Sequence, residues 1–407
     1  MIKIIHIQKH LPSSGNAAFR LHEAMRRNNL DSSMLSLTSD IEGSPFIKHL
    51  NKKAQLISFL NSKIENRVTK DKIKEFGLFS YPILGTDISK LNQVIKADII
   101  YVHWAIGGLL TLNGIEELLK LGKPVIMFMH DMWSITGGCH YSFDCEKFAV
   151  HCQNCQNFPS NKKIDLSFIE FNKKAKVYNK YQNIYFISPS TWLYNQARSS
   201  LLTARKPIYY IPNILNKRLF QPIDKRECRK LLDINPLAIV VAFGAVSIDN
   251  PYKGWKYLQE ALNILKLYNE NILILIFGEV YNKEIVDNIQ FPIKFLGRLR
   301  DDYSTALAYN AANVFVAPSL ADNLPTTVME SLACGTPVTG FDIGGIPDMI
   351  QHKENGYLAK YKDAQDLADG IIYCIKNDIL GKTDPKFNED QIIDRHLTLF
   401  KELNLGI

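Results

Sequence analysis

The sequence predicts two α/β domains, each built on a parallel sheet of the Rossmann kind. Three observations point there. The chain has 407 residues, more than a single hydrophobic core usually supports. Apolar runs of strand length recur through both halves, separated by helix-length segments, and strands that alternate with helices build parallel sheets. A composition of 46% apolar and 22% charged residues is that of an ordinary globular protein.

The first strand is expected over 2–7, followed by a loop with Pro12, Ser13, Ser14 and Gly15 and an amphipathic helix over 17–27. Strand-like runs follow at 98–102, 124–129, 185–188 and 208–211, with a helical segment over 114–121. A boundary falls at Ile211-Pro212-Asn213, where a polar, proline-containing stretch begins and reaches Pro222. The alternation then resumes: strands at 237–243, 272–277, 293–295 and 314–317, and helices over 255–268 and 303–312. These patterns divide the chain into a first domain, 1–213, with a cysteine-rich insert at 137–160, and a second domain, 214–387. A terminal helix within 388–407 is expected to pack back on the first domain.

Charge is unevenly shared. Residues 1–215 carry 27 Lys and Arg against 16 Asp and Glu, while the remainder carries 21 against 25. Such a basic half suits a solvated lysine-rich surface, an anionic membrane face or a pyrophosphate-bearing acceptor. Dispersed lysines without any nucleic-acid-binding signature argue against nucleic acid. With no signal-peptide pattern and no uninterrupted apolar run of about eighteen residues, the expectation is a cytoplasmic protein without a membrane span.

The most informative stretch is 318–338, PSLADNLPTTVMESLACGTPV. A buried strand ends at Ala317, Asp322 lies in the loop, Pro325 suits a first helical turn and Gly335 a stop. The helix therefore opens at the sheet's ligand edge. Amides around Thr326 and Thr327 have no intrahelical partner and stand at the positive end of the dipole, which suits a diphosphate. Glu330, one turn on, places a carboxylate where ribose hydroxyls are bound in dinucleotide folds.

Here the sequence resembles the retaining glycosyltransferases of family 4, which have the GT-B fold of two Rossmann-like domains facing across a cleft. Their hallmark is two glutamates separated by seven residues, followed by a run of the form ACGTPV. This chain keeps the spacing with Asp322 and Glu330, the first acid being an aspartate. Gly344-Gly345-Ile346-Pro347-Asp348, NGYL at 355–358, Phe277-Gly278-Glu279 and Phe295-Leu296-Gly297-Arg298 are similar to further family segments in the same order.

The resemblance implies that Glu330 binds ribose, and that Asp322 and His130 bind the donor sugar. Lys253, with the helix start, is implied to hold the diphosphate. The nucleotide-binding set so implied comprises Gly15, Asn16, Gly244, Lys253, Arg298, Asn323, Leu324, Pro325, Thr326, Thr327 and Glu330. A lysine can neutralise the departing diphosphate as the glycosidic bond breaks. Where the family commonly has an arginine after Gly244 this chain has Ala245, so Arg298 is the candidate second cation. In the glycine loop, Asn16 stands at the second glycine position. In Met129-His130-Asp131, the histidine is expected to meet the donor or acceptor, and Asp131 either to fix its tautomer or to meet the acceptor.

Cys139, Cys145, Cys152 and Cys155 form a C-x5-C-x6-C-x2-C cluster, which reads either as a structural zinc site with four thiolates or as four reduced cysteines in a compact loop. A similar insert recurs in the bacterial polysaccharide-assembly subset that the chain resembles. No Asp-x-Asp motif is present, so no catalytic metal is expected.

The resemblance and the basic first half thus imply transfer of a sugar from a UDP- or GDP-sugar to a lipid-linked glycan acceptor in capsule, exopolysaccharide or O-antigen synthesis. Peripheral contact with the inner membrane face is the accompanying expectation. The rivals are a nucleotide-sugar epimerase of the same fold and a nucleotide-sugar-binding protein without turnover.

Overall fold

A computed structural model describes residues 2–11, 17–41, 43–69, 78–158, 164–248, 250–268, 271–280 and 289–405. The chain forms two compact units: residues 1–214 with 389–407, and residues 215–388.

The first unit contains, in chain order, β1 (Lys3–Leu11), α1 (Ala17–Arg27), β2 (Asp31–Ser39), β3 (Ile47–His49), α2 (Lys52–Thr69), α3 (Asn92–Lys96), β4 (Ile99–Val102), α4 (Leu112–Leu119), β5 (Val125–Phe128), α5 (Leu166–Lys180), β6 (Ile184–Ser188), α6 (Thr191–Ser199) and β7 (Ile208–Tyr210). Its strands pair in the order β3-β2-β1-β4-β5-β6-β7, all parallel. Both faces are covered, so the central strands are apolar throughout, as in IIYV of β4 and VIMF of β5. Side chains still divide by the period of two: Ile5, Ile7, Ile100, Val102, Val125 and Met127 face one core. Ile4, Ile99, Tyr101, Ile126 and Phe128 face the other.

The second unit contains α7 (Lys225–Leu231), β8 (Ile239–Ser247), α8 (Trp255–Leu265), β9 (Ile272–Glu279), β10 (Ile293–Phe295), α9 (Asp302–Ala311), β11 (Val314–Ala317), α10 (Thr326–Ala333), β12 (Val338–Phe341), β13 (Gly356–Ala359) and α11 (Ala364–Lys376). Its six parallel strands run β10-β9-β8-β11-β12-β13. The same alternation separates Val240, Ala242, Phe315 and Ala317 from Val241, Phe243, Val314 and Val316.

The last helix, α12 (Glu389–Glu402), returns to the first unit. Its Ile392, Ile393, Leu399 and Phe400 enter the core that holds Ile4, Tyr101 and Phe128. Glu389 makes a two-pronged ion pair with Arg27 on α1, at 2.7 and 3.0 Å, a geometry that fixes direction as well as charge.

The apolar pattern does not announce every element. Between α1 and β4 the structure places β2, β3, α2 and α3, and it ends α8 at Leu265 rather than 268. Among the described residues no helix is long and apolar enough to cross a membrane.

Because Phe400 is fully buried, Phe400→Ala is expected to cost about 3–5 kcal/mol. Urea denaturation followed by probes in each unit should show the loss in the first unit's transition, with that of the second unit unmoved.

Candidate functional site

In an open parallel sheet, ligands bind outside the strand carboxyl ends, where the winding reverses. That reversal lies between β1 and β4 in the first unit and between β8 and β11 in the second. His130, Asp131, Lys253 and Asp322, among the residues singled out by the sequence, follow strands at or beside these two places.

In the first unit, β4 ends at Val102 and leads to His103, while β5 ends at Phe128 and leads to His130 and Asp131. His130 Nε2 meets His103 Nδ1 at 2.9 Å, and His103 Nε2 meets His6 Nδ1 of β1 at 2.9 Å. Three imidazoles thus form a chain from inside the sheet to its carboxyl edge. Burial pushes all three below the ordinary histidine value, His130 to about 4, so they are neutral at pH 7.

The inner end of the chain decides which nitrogens carry protons. His6 Nε2 is buried without a hydrogen-bond partner. A proton there would be an unsatisfied buried donor, costlier than a bare lone pair. The proton therefore sits on Nδ1 of His6, then on Nδ1 of His103, and each donates to the Nε2 of the next ring. His130 is left protonated on Nδ1, a hydrogen-bond donor.

The Asp131 carboxylate is engaged by residues of its own loop. Its Oδ1 accepts the Trp133 amide at 2.8 Å, and its Oδ2 lies 2.5 Å from His140 Nδ1. His140 Nε2 in turn meets Ser80 Oγ at 2.9 Å. Burial opposes ionisation of Asp131, but the two histidines and the Trp133 amide hold its carboxyl below its usual range. Asp131 thus anchors the loop after β5, while His103 bonds the Nε2 of His130. The sequence reading missed His6, His103, His140 and Ser80. His103 carried a signal, a polar residue directly after an apolar strand, as His130 does.

The loop between 133 and 139 is fastened by a buried lysine. Lys174 Nζ donates to the carbonyls of Trp133 at 2.5 Å and Thr136 at 3.0 Å and lies 3.6 Å over the Trp133 ring. Cys139, Cys145, Cys152 and Cys155 are free thiols. Burial, with the neighbouring thiols adding to it, pushes Cys139 and Cys152 up to about 12, which favours the neutral form. Among the described residues no group of three or more His, Cys, Asp or Glu side chains is arranged to hold a metal ion. The arrangement therefore gives the zinc expectation no support.

In the second unit, Lys253 follows β8 and Asp322 follows β11, on either side of the winding reversal. Their side chains pair at 2.6 Å, with Ser319 Oγ 3.3 Å from the same carboxylate oxygen. Burial disfavours the ammonium of Lys253, yet the Asp322 carboxylate outweighs it and raises the lysine above its ordinary value. Two glycines make the approach possible. Gly254 has φ +73°, and a Cβ there would lie 1.8 Å from the Pro318 carbonyl; Gly344 has φ +60°, and a Cβ would lie 1.9 Å from the Asp322 carbonyl. Loops after β8, β11 and β12 are thereby drawn together around Asp322.

Asn323 and Leu324 continue this loop as buried residues, and Pro325 is the cap residue of α10, with no side-chain cap bond. The half-buried Thr326 and Thr327 open the helix. Its far end closes at Gly335, φ +82°, with Gly335 N bonded to Leu332 O and Thr336 N to Ser331 O. Glu330 is buried at 4% exposure and accepts the Tyr309 hydroxyl at 3.0 Å.

The remaining candidates are placed differently. Gly244 is a packing glycine, since a Cβ would lie 2.0 Å from the Phe277 ring. Arg298, half exposed, pairs with Glu279 at 2.7 Å. Gly15 and Asn16 lie outside the described residues.

Two outcomes follow from the buried imidazoles. Long-range 1H–15N correlation spectra of histidine-labelled protein should show His130 and His103 as Nδ1–H tautomers, and His103→Phe should release His130 to a mixture. Burial also lowers His22 to about 4 and His396 to about 3. Folded values below the unfolded value near 6.5 mean that the unfolded chain binds more protons as pH falls past that point. Stability of the first unit should therefore be lost below about pH 6.5, by at most roughly 1.4 kcal/mol per pH unit for each such histidine. Chemical denaturation at pH 7 and pH 5 measures it.

Comparison with known proteins bears on the fold and on the class of activity. Residues 238–377 match the family described as Glycosyl transferases group 1. The chain is 21% identical over 392 residues to an N-acetyl-alpha-D-glucosaminyl L-malate synthase of Bacillus anthracis, covering 90% of this chain and 94% of that one. A phosphatidyl-myo-inositol mannosyltransferase of Mycobacterium leprae is 29% identical over 136 residues, 32% of this chain and 36% of that one. Among solved structures, sucrose-phosphate synthase from Thermosynechococcus elongatus aligns with a TM-score of 0.66 at 17% identity, over 99% of both chains. HepE of Anabaena, in complex with UDP and glucose, aligns at 0.61 and 15% identity, over 99% of this chain and 100% of that one. The fold is thus GT-B, two Rossmann-like domains, and the comparisons support glycosyltransferase activity of group 1 for this chain.

Proposed function

We propose that the chain is a retaining glycosyltransferase of family 4 that moves a sugar from a UDP- or GDP-sugar to a lipid-linked saccharide acceptor in bacterial surface polysaccharide synthesis. The observation that carries this reading is the Lys253–Asp322 pair at the winding reversal of the second sheet, in the loop that opens α10. It is the arrangement a nucleoside diphosphate sugar needs, with a cation and helix-opening amides for the phosphates and a carboxylate for sugar hydroxyls. HepE of Anabaena was solved with UDP-glucose, which supports a nucleotide sugar as donor.

On this reading the diphosphate draws Lys253 away from Asp322, and the freed carboxylate accepts from the sugar. Thr326 and Thr327 supply amides, and Tyr309 holds the Glu330 carboxylate oriented for the ribose. As the glycosidic bond breaks, negative charge grows on the leaving phosphate, and Lys253 stabilises it. The first sheet's edge supplies His130 as an N–H donor to the donor sugar or the acceptor. The setting inferred is the cytoplasm, at the inner membrane face.

The test is donor turnover with a panel of saccharide acceptors, with product anomers assigned by NMR. Lys253→Ala is expected to lower turnover by about 10²–10³-fold, and Glu330→Gln to weaken UDP or GDP in a thermal-shift titration. Retention at the anomeric carbon is the expected stereochemistry. Equal background rates for wild type and both variants would remove the catalytic reading, and epimerised donor formed without acceptor would replace it.

A further inference from the structure

The 18-residue helix α2 is built inside out. Its buried line is Ala54, Ser58, Asn61 and Thr69, with Glu65 turned the same way to accept from Asn61 Nδ2 and the Tyr81 amide, each at 2.8 Å. The large apolar side chains point outward: Leu56 is 56% exposed, Phe59 55%, Leu60 43%, Ile64 37% and Val68 44%. Leu56, Leu60, Ile64 and Val68 repeat every four residues and form one continuous ridge. A water-facing helix normally shows the opposite polarity.

The cations on this helix are on the outer side as well. Lys52, Lys53, Lys63 and Arg67 are all exposed, and the helix's one acid, Glu65, faces inward. Lys63 Nζ lies 4.5 Å over the exposed Phe59 ring. The outer face therefore offers apolar bulk and four positive charges with no negative charge of its own. A soluble partner's apolar groove would match the ridge but leave the cations unanswered, whereas a surface that is negative outside and apolar just beneath answers both.

The helix also stands where such a surface is useful. Ser58 Oγ donates to the Gly107 carbonyl at 3.1 Å, and a Cβ on Gly108 would lie 2.5 Å from Ser58 Cα. This close packing sets α2 on the loop that follows β4, at the sheet edge where His103 and His130 emerge. From these placements we infer that α2 docks the first unit on an anionic lipid bilayer, with Leu56, Phe59, Leu60, Ile64 and Val68 entering the acyl boundary and Lys52, Lys53, Lys63 and Arg67 among the headgroups. The proposal deepens the reading of a lipid-linked acceptor, because it holds the first unit's candidate edge at the surface where such an acceptor lies.

The full chain is mixed with vesicles of phosphatidylcholine alone, or of phosphatidylcholine with phosphatidylglycerol, and bound protein is measured by flotation without donor or acceptor. Binding is expected to the anionic vesicles, not to the neutral ones, and to weaken with salt. Lys52→Glu with Lys53→Glu should lower vesicle affinity by at least about fivefold per cation removed. The variant Leu56→Ser, Phe59→Ser, Leu60→Ser should abolish flotation while its circular dichroism and melting stay as in wild type, since these side chains make no core. Absence of flotation, or flotation untouched by either variant, overturns the proposal. So does a wild-type dimer that the serine variant dissolves, which would assign the ridge to a second copy of the chain. Because no sugar chemistry enters the measurement, a chain that floats but does not transfer sugar sinks the glycosyltransferase reading alone.

Discussion

Parallel strands end together. In each unit every strand's carboxyl end lies at one edge of the sheet, and the helices that cover both faces leave that edge to loops. The reversal of winding beside β1 and beside β8 separates the neighbouring loops and makes a place where side chains from distant parts of the sequence meet. Lys253 and Asp322 are 69 residues apart along the chain and 2.6 Å apart in space. His6, His103 and His130 come from three adjacent strands and form one hydrogen-bonded line.

These two groups solve different electrostatic problems. The histidine line is neutral, and its information lies in direction, because one orphaned nitrogen at His6 dictates the proton position two rings away. Such a line needs burial, since water at any ring would offer an alternative partner and erase the preference. Asp131 carries the nearby charge and is fully engaged by His140 and Trp133, so the loop after β5 is held without drawing a proton from His130. Lys174 fastens the same loop from below through two carbonyls. The loop's rigidity thus comes from hydrogen bonds to its backbone, which the four thiols of the insert do not need to supply.

Much of the fold was legible because a parallel sheet buried on both faces writes itself as apolar runs. IIYV, VIMF and VFVA can be little else once helical segments separate them. The illegible elements break that rule for identifiable reasons. β2, DSSMLSLTS, alternates serine with apolar residues, and Ser32 and Ser36 are buried through bonds to His22 and His49. α2 hides its polar line and exposes its apolar one, so a search for an inward apolar stripe finds none. Of the candidate site, local spacing pointed to Asp322 and the opening of α10, and the resemblance alone pointed to Lys253. The contact between the lysine and the aspartate was not legible, since spacing says nothing about which loops a sheet brings together. His103 went unread because its partners, His6 and His130, belong to the strands on either side of β4 and lie far from it in sequence, so no motif joins them.

The Lys253–Asp322 pair also bears on why charge is kept there at all. Both side chains are largely withdrawn from water, at 27% and 11% exposure. A buried ion pair is a poor source of stability, because the cost of removing two charges from water offsets most of their attraction, and apolar substitutes of similar size often do as well. The glycines at 254 and 344, held at positive φ so that backbone can crowd Pro318 and Asp322, add constraint without adding contact area. A fold selected for stability alone has no use for such a pair. On the proposed reading the pair has a use: the aspartate keeps the lysine charged and positioned until a nucleoside diphosphate arrives, and then gives it up. The exchange keeps the lysine paired before and after the anion enters, so it is never left as a lone charge in a low-dielectric pocket. On that reading the released aspartate accepts hydrogen bonds from hydroxyl groups attached to the same anion, which take the lysine's place as its partners.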